Sequence, residues 1–189
     1  MAGGGMESRS WRSVQPTRGA LRPFVALAVL ALGLAVPAQA AVGVGAALPD
    51  VTFRDLAGHA VQTAELRGTP VVIAFWANWC RSCKTELEHL KTVRATTGED
   101  RLRIMAVSLD DDRETLDLFL STRSFPFPIY SDPQAVAASK FTDDTEELPL
   151  TVVADAQGVV RYVARDFAEG AAARLDAAVA AVLAPASPQ

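Results

Sequence analysis

Apolar and polar positions follow two different periods along this chain, and each period predicts a type of element. The run Val71–Trp76 is apolar on both faces, as expected for a central strand that is covered by helices. Directly after it, Leu87, Leu90 and Val93 recur at helical spacing. They predict an amphipathic helix over residues 82–98.

The rest of the chain shows the same two patterns. They predict, in order, a hairpin over 49–68, a strand over 102–109, a helix capped by the aspartates at 110–112, a helix that begins at Asp132-Pro133, a hairpin of strands over 150–154 and 159–164, and a terminal helix over 168–183. We interpret Pro126 and Pro128 as a break in regular structure. Strands separated by helices predict parallel pairing, and the last hairpin adds antiparallel pairing. The predicted fold class is α/β, with a mixed central sheet, helices on both faces and an N-terminal β-hairpin extension.

The first 40 residues differ in composition from everything that follows. Four arginines precede an apolar run of 13 residues at 24–36, and Ala38-Gln39-Ala40 then forms a small-x-small cleavage signature. We predict a secretory signal peptide over 1–40, because the apolar run is shorter than the roughly 18 residues that span a bilayer. An uncleaved membrane anchor is the alternative. Both predict a periplasmic or otherwise extracytoplasmic domain at 41–184, followed by a disordered tail at 185–189.

Charge and histidine content argue against two classes of function. Cleavage after residue 40 would remove four arginines and one glutamate and change the formal net charge from −4 to −7. Nucleic-acid binders carry basic patches, so no nucleic-acid partner is predicted. His59 and His89, the only histidines, have no ligand spacing to the two cysteines. No metal site is therefore predicted.

Cys80 and Cys83 are the only cysteines, and they stand where the predicted central strand gives way to a helix. Backbone N–H groups and the helix dipole favour a thiolate there, and Arg81 and Lys84 act in the same direction. A spacing of three places Cys83 one helical turn from Cys80, where it can attack a mixed disulfide held on Cys80. A structural disulfide is disfavoured, because closing so short a loop removes little chain entropy.

The string "FWANWCRSC" resembles the active-site motif of the thioredoxin superfamily, and residues 48–184 are similar to its exported TlpA/ResA branch. The resemblance implies a thioredoxin-like fold and a thiol-disulfide oxidoreductase of the reductase type. It implies no cofactor beyond a redox-active Cys80–Cys83 disulfide. The implied partners are protein disulfide substrates, such as apocytochrome c or copper-site proteins, and a membrane thiol electron donor. We expect the protein to be a monomer.

The resemblance also implies roles for residues outside the cysteine pair. Pro149 matches the cis-proline that faces the cysteines, and Leu148 would offer backbone groups to an extended substrate segment. Glu86 matches a glutamate that could carry a proton to or from Cys83, although an exposed first-turn carboxylate is a comparable interpretation. Trp79 resembles the exposed tryptophan against which substrates dock, whereas Trp76 is expected to fill the core.

Several positions depart from the family pattern. Ala74 stands where thioredoxins carry a buried aspartate, and Leu150 stands where this branch often has a threonine. Arg81-Ser82 replaces the commoner Gly-Pro, which affects the reduction potential in a direction that the sequence does not give. The acidic run at 143–147 could select basic partners, or it could be a solvated loop.

Two other functions are compatible with parts of the sequence. A peroxidase of the peroxiredoxin type has a related fold, but its reactive cysteine lies in a threonine-containing loop that this chain lacks. A copper-binding assembly factor would use both thiolates together with His59, which would have to approach the cysteine pair.

Overall fold

A mixed sheet of five strands organises residues 41–184, the part of the chain that the computed structural model describes. The strand order is β5-β4-β3-β6-β7. The strands are β3 (Val71–Trp76), β4 (Arg103–Ser108), β5 (Ile129–Ser131), β6 (Leu150–Ala154) and β7 (Val160–Ala164). Strand β3 lies in the middle of the sheet, and every one of its residues is therefore buried. It pairs parallel to β4 and antiparallel to β6.

A separate two-stranded sheet precedes the central one and confirms the predicted N-terminal hairpin. Strands β1 (Thr52–Arg54) and β2 (Ala60–Gln62) pair antiparallel. The turn between them contains Gly58 at φ 91°, a backbone conformation that side chains disfavour.

Three α-helices pack against the same face of the central sheet: α1 (Arg81–Thr97), α2 (Arg113–Ser121) and α3 (Ala171–Leu183). The opposite face is covered by the β1–β2 hairpin and by two 3-10 helices, Thr63–Leu66 and Ala138–Lys140. Within residues 41–184, no helix is both long and apolar enough to span a membrane. The predicted signal segment at 1–40 and the tail at 185–189 lie outside the described residues.

The prediction that a helix begins at Asp132-Pro133 is wrong. The Asp132 carboxylate accepts the N–H groups of Val136 and Ala138, at 2.9 and 2.8 Å, as a helix cap would. Ala135, however, has φ 52°, which interrupts the helical backbone. Only one 3-10 turn follows, at Ala138–Lys140.

Sequence analysis predicted only a break in regular structure at Pro126 and Pro128 and missed the strand that follows them. Strand β5 begins directly after Pro128 and pairs parallel to β4, with Tyr130 opposite Val107. It lies at the edge of the sheet, where the missing N–H of a neighbouring proline does not break a ladder of hydrogen bonds.

Candidate active site

The candidate site lies where β3 ends and α1 begins. After Trp76 the chain makes a tight turn in which the N–H of Cys80 donates to the Ala77 carbonyl at 3.1 Å. Cys80 is then the N-cap residue of α1. A buried strand therefore fixes the position of the first cysteine, and the helix start surrounds it with backbone N–H groups.

Cys80 and Cys83 form a disulfide, with their Cα atoms 5.3 Å apart. The Sγ of Cys80 also accepts a hydrogen bond from the N–H of Cys83 at 3.2 Å, and the Ser82 hydroxyl lies 3.5 Å from the same sulfur. Cys80 is 6 % exposed and Cys83 is 0 % exposed. Cys80 is therefore the more exposed of the two cysteines.

Leu148 and Pro149 directly precede strand β6, which is the neighbour of β3. Their peptide bond is cis. Because Leu150 pairs with Phe75, the two residues before it lie beside the end of β3. Leu148 packs against the hydrophobic cluster that contains both cysteines. Trp79, the residue before Cys80, is 64 % exposed.

Glu86 is buried, so it is not the exposed first-turn carboxylate that was its alternative interpretation. Its side chain is 1 % exposed, and it lies three residues after Cys83 on the buried face of α1. Burial raises the pKa of Glu86 from 4.5 to about 7, against a smaller lowering by a hydrogen bond from Thr151. Acid and carboxylate forms are therefore both populated near neutral pH.

Thr151 is a site residue that sequence analysis missed. Its hydroxyl donates to Oε1 of Glu86, and it is fully buried. Thr151 pairs with Ala74, the position where thioredoxins carry an aspartate. A buried carboxyl group is thus supplied by α1 beside that position. The side chain of Leu150 lies on the opposite face of the sheet. The hydroxyl group that contacts Glu86 therefore comes from the next residue, Thr151.

Asp110 and Ser108 hold the turn that leads to Cys80. Both carboxylate oxygens of Asp110 accept the N–H of Asn78, at 2.9 and 3.1 Å. The Ser108 hydroxyl donates to the same carboxylate at 2.7 Å. Asp112, by contrast, caps α2 by accepting the N–H groups of Glu114 and Thr115, as predicted. The aspartate run therefore serves both the turn and the helix.

The histidine needed by the copper-binding alternative lies elsewhere. His59 Nδ1 lies 2.8 Å from Asp55 Oδ2 in the β1–β2 hairpin. His89 Nε2 lies 2.8 Å from Asp176 Oδ1 and joins α1 to α3. Among residues 41–184, no group of three or more His, Cys, Asp or Glu side chains is arranged to hold a metal ion. That alternative gains no support from the described residues.

The acidic run at 143–147 leads directly into the Leu148–Pro149 peptide. Its four carboxylates, those of Asp143, Asp144, Glu146 and Glu147, are exposed. The run is folded by local bonds, since the Glu146 N–H donates to Asp144 Oδ1 at 2.9 Å. It therefore adjoins the candidate site by sequence and by backbone course.

Comparisons with known proteins point to one family. The AhpC/TSA family model matches residues 44–163. The chain is 27 % identical over 125 residues to the thiol-disulfide oxidoreductase ResA of Geobacillus kaustophilus, covering 66 % of this chain and 71 % of that protein. It is 25 % identical over 122 residues to the thioredoxin-like protein YneN of Bacillus subtilis, covering 63 % and 69 % of the two chains.

Solved structures agree on the fold. A protein from Chlorobium tepidum described as thiol:disulfide interchange protein DsbE superposes with a TM-score of 0.70 at 22 % identity, over 76 % of this chain and 100 % of that one. A secreted disulfide oxidoreductase of Mycobacterium tuberculosis, described as homologous to E. coli DsbE, gives a TM-score of 0.60 at 24 % identity, over 70 % and 96 %. The predicted thioredoxin-like fold is confirmed.

Proposed function

The chain belongs to the AhpC/TSA family and is a thiol-disulfide oxidoreductase, and from this premise we propose that it reduces disulfide bonds of protein substrates outside the cytoplasm. The observation that carries the proposal is the Cys80–Cys83 disulfide at the start of α1, in which Cys80 keeps a small exposed fraction and Cys83 is fully buried. Export is supported by the signal-like pattern at 1–40.

The reaction starts from the dithiol. The Cys80 thiolate attacks one sulfur of the substrate disulfide, that bond breaks, and the first substrate thiol leaves. Cys83 then attacks the Cys80 sulfur of the mixed disulfide and releases the second substrate thiol. Two electrons pass to the substrate, its two sulfurs take up two protons, and the enzyme is left with the Cys80–Cys83 disulfide. A thiol donor at the membrane then restores the dithiol.

The environment of Cys80 supports its role as the attacking sulfur. The N–H of Cys83 and the positive end of α1 are directed at its Sγ, where they stabilise a thiolate. The buried position of Cys83 supports its role as the resolving sulfur.

Glu86 is the proposed proton relay for Cys83. A group with a pKa of about 7 can both accept and release a proton near neutral pH, and Glu86 lies one helical turn from that cysteine. Trp79 and the backbone of Leu148 next to cis-Pro149 are proposed to hold an extended substrate segment. The exposure of Trp79 and the packing of Leu148 near the cysteines support this arrangement.

The proposed substrates are cysteine pairs that must be reduced before a cofactor is inserted, as in apocytochrome c or copper-site proteins. The resemblance of residues 48–184 to the TlpA/ResA branch supports this class, and similarity to a thiol-disulfide oxidoreductase named ResA supports disulfide bonds as the target. The reduction potential of the Cys80–Cys83 couple tests the direction. A value near −270 mV is expected for a reductase, whereas one near −120 mV would indicate an oxidant.

A trapping experiment tests the two-cysteine mechanism. Cys83→Ala should accumulate a covalent mixed disulfide with a protein substrate and lose turnover, because no thiol remains to resolve it. Cys80→Ala, the matched control, should form no adduct. Mass spectrometry under non-reducing conditions identifies the adduct. Unchanged turnover in the Cys83→Ala variant would refute the mechanism, and peroxide consumption as fast as disulfide exchange would favour the peroxidase alternative.

A further inference from the structure

A groove runs along α1 on the side of strand β4, beginning one residue after Cys83. Its lining residues are Lys84, Thr85, Glu88, Phe119, Arg123 and Phe125, and its volume is about 410 Å³. We refer to it as the basic–aromatic groove. The Phe119 and Phe125 rings stack, with centroids 6.4 Å apart and an interplanar angle of 15°.

Two cations of the groove lie against aromatic rings. The Arg123 guanidinium carbon is 4.2 Å from the Phe119 centroid, and Lys84 Nζ is 5.7 Å from it. Neither side chain forms an ion pair with a carboxylate among residues 41–184. An aromatic ring carries no net charge, so both cations keep theirs.

The one acidic residue of the groove is already compensated. Glu88 Oε1 lies 2.9 Å from Lys91 Nζ, which also sits 4.6 Å above the Phe125 ring. The groove therefore carries a local positive charge on a chain whose formal net charge is −4. Its apolar floor and uncompensated cations match a segment with carboxylates and apolar side chains.

The groove adjoins the redox site along α1, because Lys84 directly follows Cys83. The Lys84 N–H donates to the Cys80 carbonyl at 3.4 Å, and the Phe119 ring contacts the Trp76 ring, with centroids 5.3 Å apart. A protein bound with its disulfide at Cys80 thus has its neighbouring residues beside the groove.

The sheet order places the opposite charge on the other side of the site. Residues 119–125 lie in the connection from β4 to β5, whereas the acidic run at 143–147 leads into β6. Strands β4 and β6 flank β3 on opposite sides. A partner therefore meets cations on one side of the disulfide and carboxylates on the other.

We propose that the basic–aromatic groove binds an acidic segment of the protein whose disulfide Cys80 attacks. This inference rests on the proposed disulfide exchange and adds the charge of the partner. Carboxylates of the segment pair with Arg123 and Lys84, and its apolar side chains pack on Phe119 and Phe125.

Two synthetic peptides test the proposal with the full reduced protein. Both contain the same internal disulfide; one has a tail of aspartates and glutamates, and the other has a tail of lysines. Hydroxyethyl disulfide serves as an uncharged substrate. At low ionic strength we expect reduction of the acidic peptide to be about tenfold faster, with the difference vanishing near 1 M salt. The net charge of the chain alone would favour the basic peptide instead.

Charge reversal then locates the effect. Arg123→Glu should lower the preference for the acidic peptide about threefold or more, which is the size of an exposed ion pair made repulsive. Arg101→Glu makes the same change of charge at an exposed position that precedes the first residue of β4, whereas the groove residues Phe119, Arg123 and Phe125 follow its last residue. This variant should keep the wild-type preference for the acidic peptide. Neither change should alter the rate with hydroxyethyl disulfide.

The outcomes separate this inference from the function on which it rests. Equal rates for the two peptides, or equal effects of both charge reversals, would overturn the groove as the binding site while hydroxyethyl disulfide is still reduced. Failure of the wild-type dithiol to reduce hydroxyethyl disulfide would instead overturn the proposed function.

Discussion

Successive residues of β3 point to opposite faces of the sheet, and only one of the two faces holds the cysteines. Phe75 points to a face of aromatic rings, where it contacts Phe141 and Phe53 with centroids 5.0 and 6.3 Å away. Trp76 points to the face that holds the disulfide. We call them the aromatic face and the redox face.

The faces also differ in how well their polar groups are satisfied. Among residues 41–184, three buried side-chain atoms have no hydrogen-bond partner: Nε1 of Trp76, Oε2 of Glu86 and Nε of Arg94. All three belong to β3 or α1, on the redox side. Unpaired buried polar groups reduce the free energy of unfolding. The comparison indicates that the aromatic face stabilises the fold, while the redox face keeps a titratable group beside the disulfide.

The largest expected effect on stability comes from the aromatic face. Phe141→Ala removes a fully buried ring that contacts two others, so it should lower the free energy of unfolding by about 3–5 kcal/mol. Urea denaturation measures this change. Val136→Ala, at an exposed position nearby, should change it by less than about 0.5 kcal/mol.

The same variant tests whether the two faces act independently. Folded Phe141→Ala protein should reduce hydroxyethyl disulfide at the wild-type rate, because the ring does not touch the redox face. If folded Phe141→Ala protein reduced hydroxyethyl disulfide more slowly than wild type, the two faces would not act independently.

Sequence periodicity could predict the parts of the site that are local in the chain. The apolar run Val71–Trp76 and the helical spacing after it located the junction that holds Cys80. The cis bond before Pro149 followed from family resemblance. These features depend on a few consecutive residues or on one motif.

The contacts that sequence analysis missed depend on sheet register and burial. Glu86 and Thr151 are 65 positions apart and meet only because β6 pairs with β3. Asp110 and Asp112 look alike in sequence, yet one is buried against Asn78 and the other is an exposed cap. The burial of Glu86, a residue already predicted for the site, did give a signal, since Glu86 neighbours Leu87 on the apolar stripe of α1.

The second prediction concerns the titrating group of the redox face. In the folded state burial raises the Glu86 pKa from 4.5 to about 7, so the native protein binds more protons between these pH values. The contribution of Glu86 to stability is therefore fully present below pH 4.5 and is lost as the pH rises through 7. Relative to wild type, Glu86→Gln should gain about 3 kcal/mol between pH 4 and pH 8.

Denaturation of the oxidised proteins at both pH values measures this difference without contributions from free thiols. Glu88→Gln is the matched control, because Glu88 lies two residues away on the exposed side of α1. Its stability should follow that of wild type at both pH values. If Glu86→Gln also followed wild type, Glu86 would not be a buried acid, and the redox face would lose its proposed proton relay.

The smallest expected effect comes from the partner of that acid. Thr151→Val keeps the shape of the side chain but removes the hydroxyl that donates to Glu86. Because this hydrogen bond lowers the Glu86 pKa, its loss should raise the pKa further. The variant should lose about 1 kcal/mol of stability above neutral pH, and less where Glu86 is protonated.

Carbon-13 NMR of the glutamate carboxyl group can follow the pKa directly. A double-mutant cycle with Glu86→Gln isolates the contact, because Thr151→Val should have no pH-dependent effect once the acid is gone. An unchanged or lower Glu86 pKa in Thr151→Val would show that the hydroxyl does not stabilise the carboxylate. Desolvation alone would then set the pKa, and β6 would contribute to the redox face through the apolar packing of Val153.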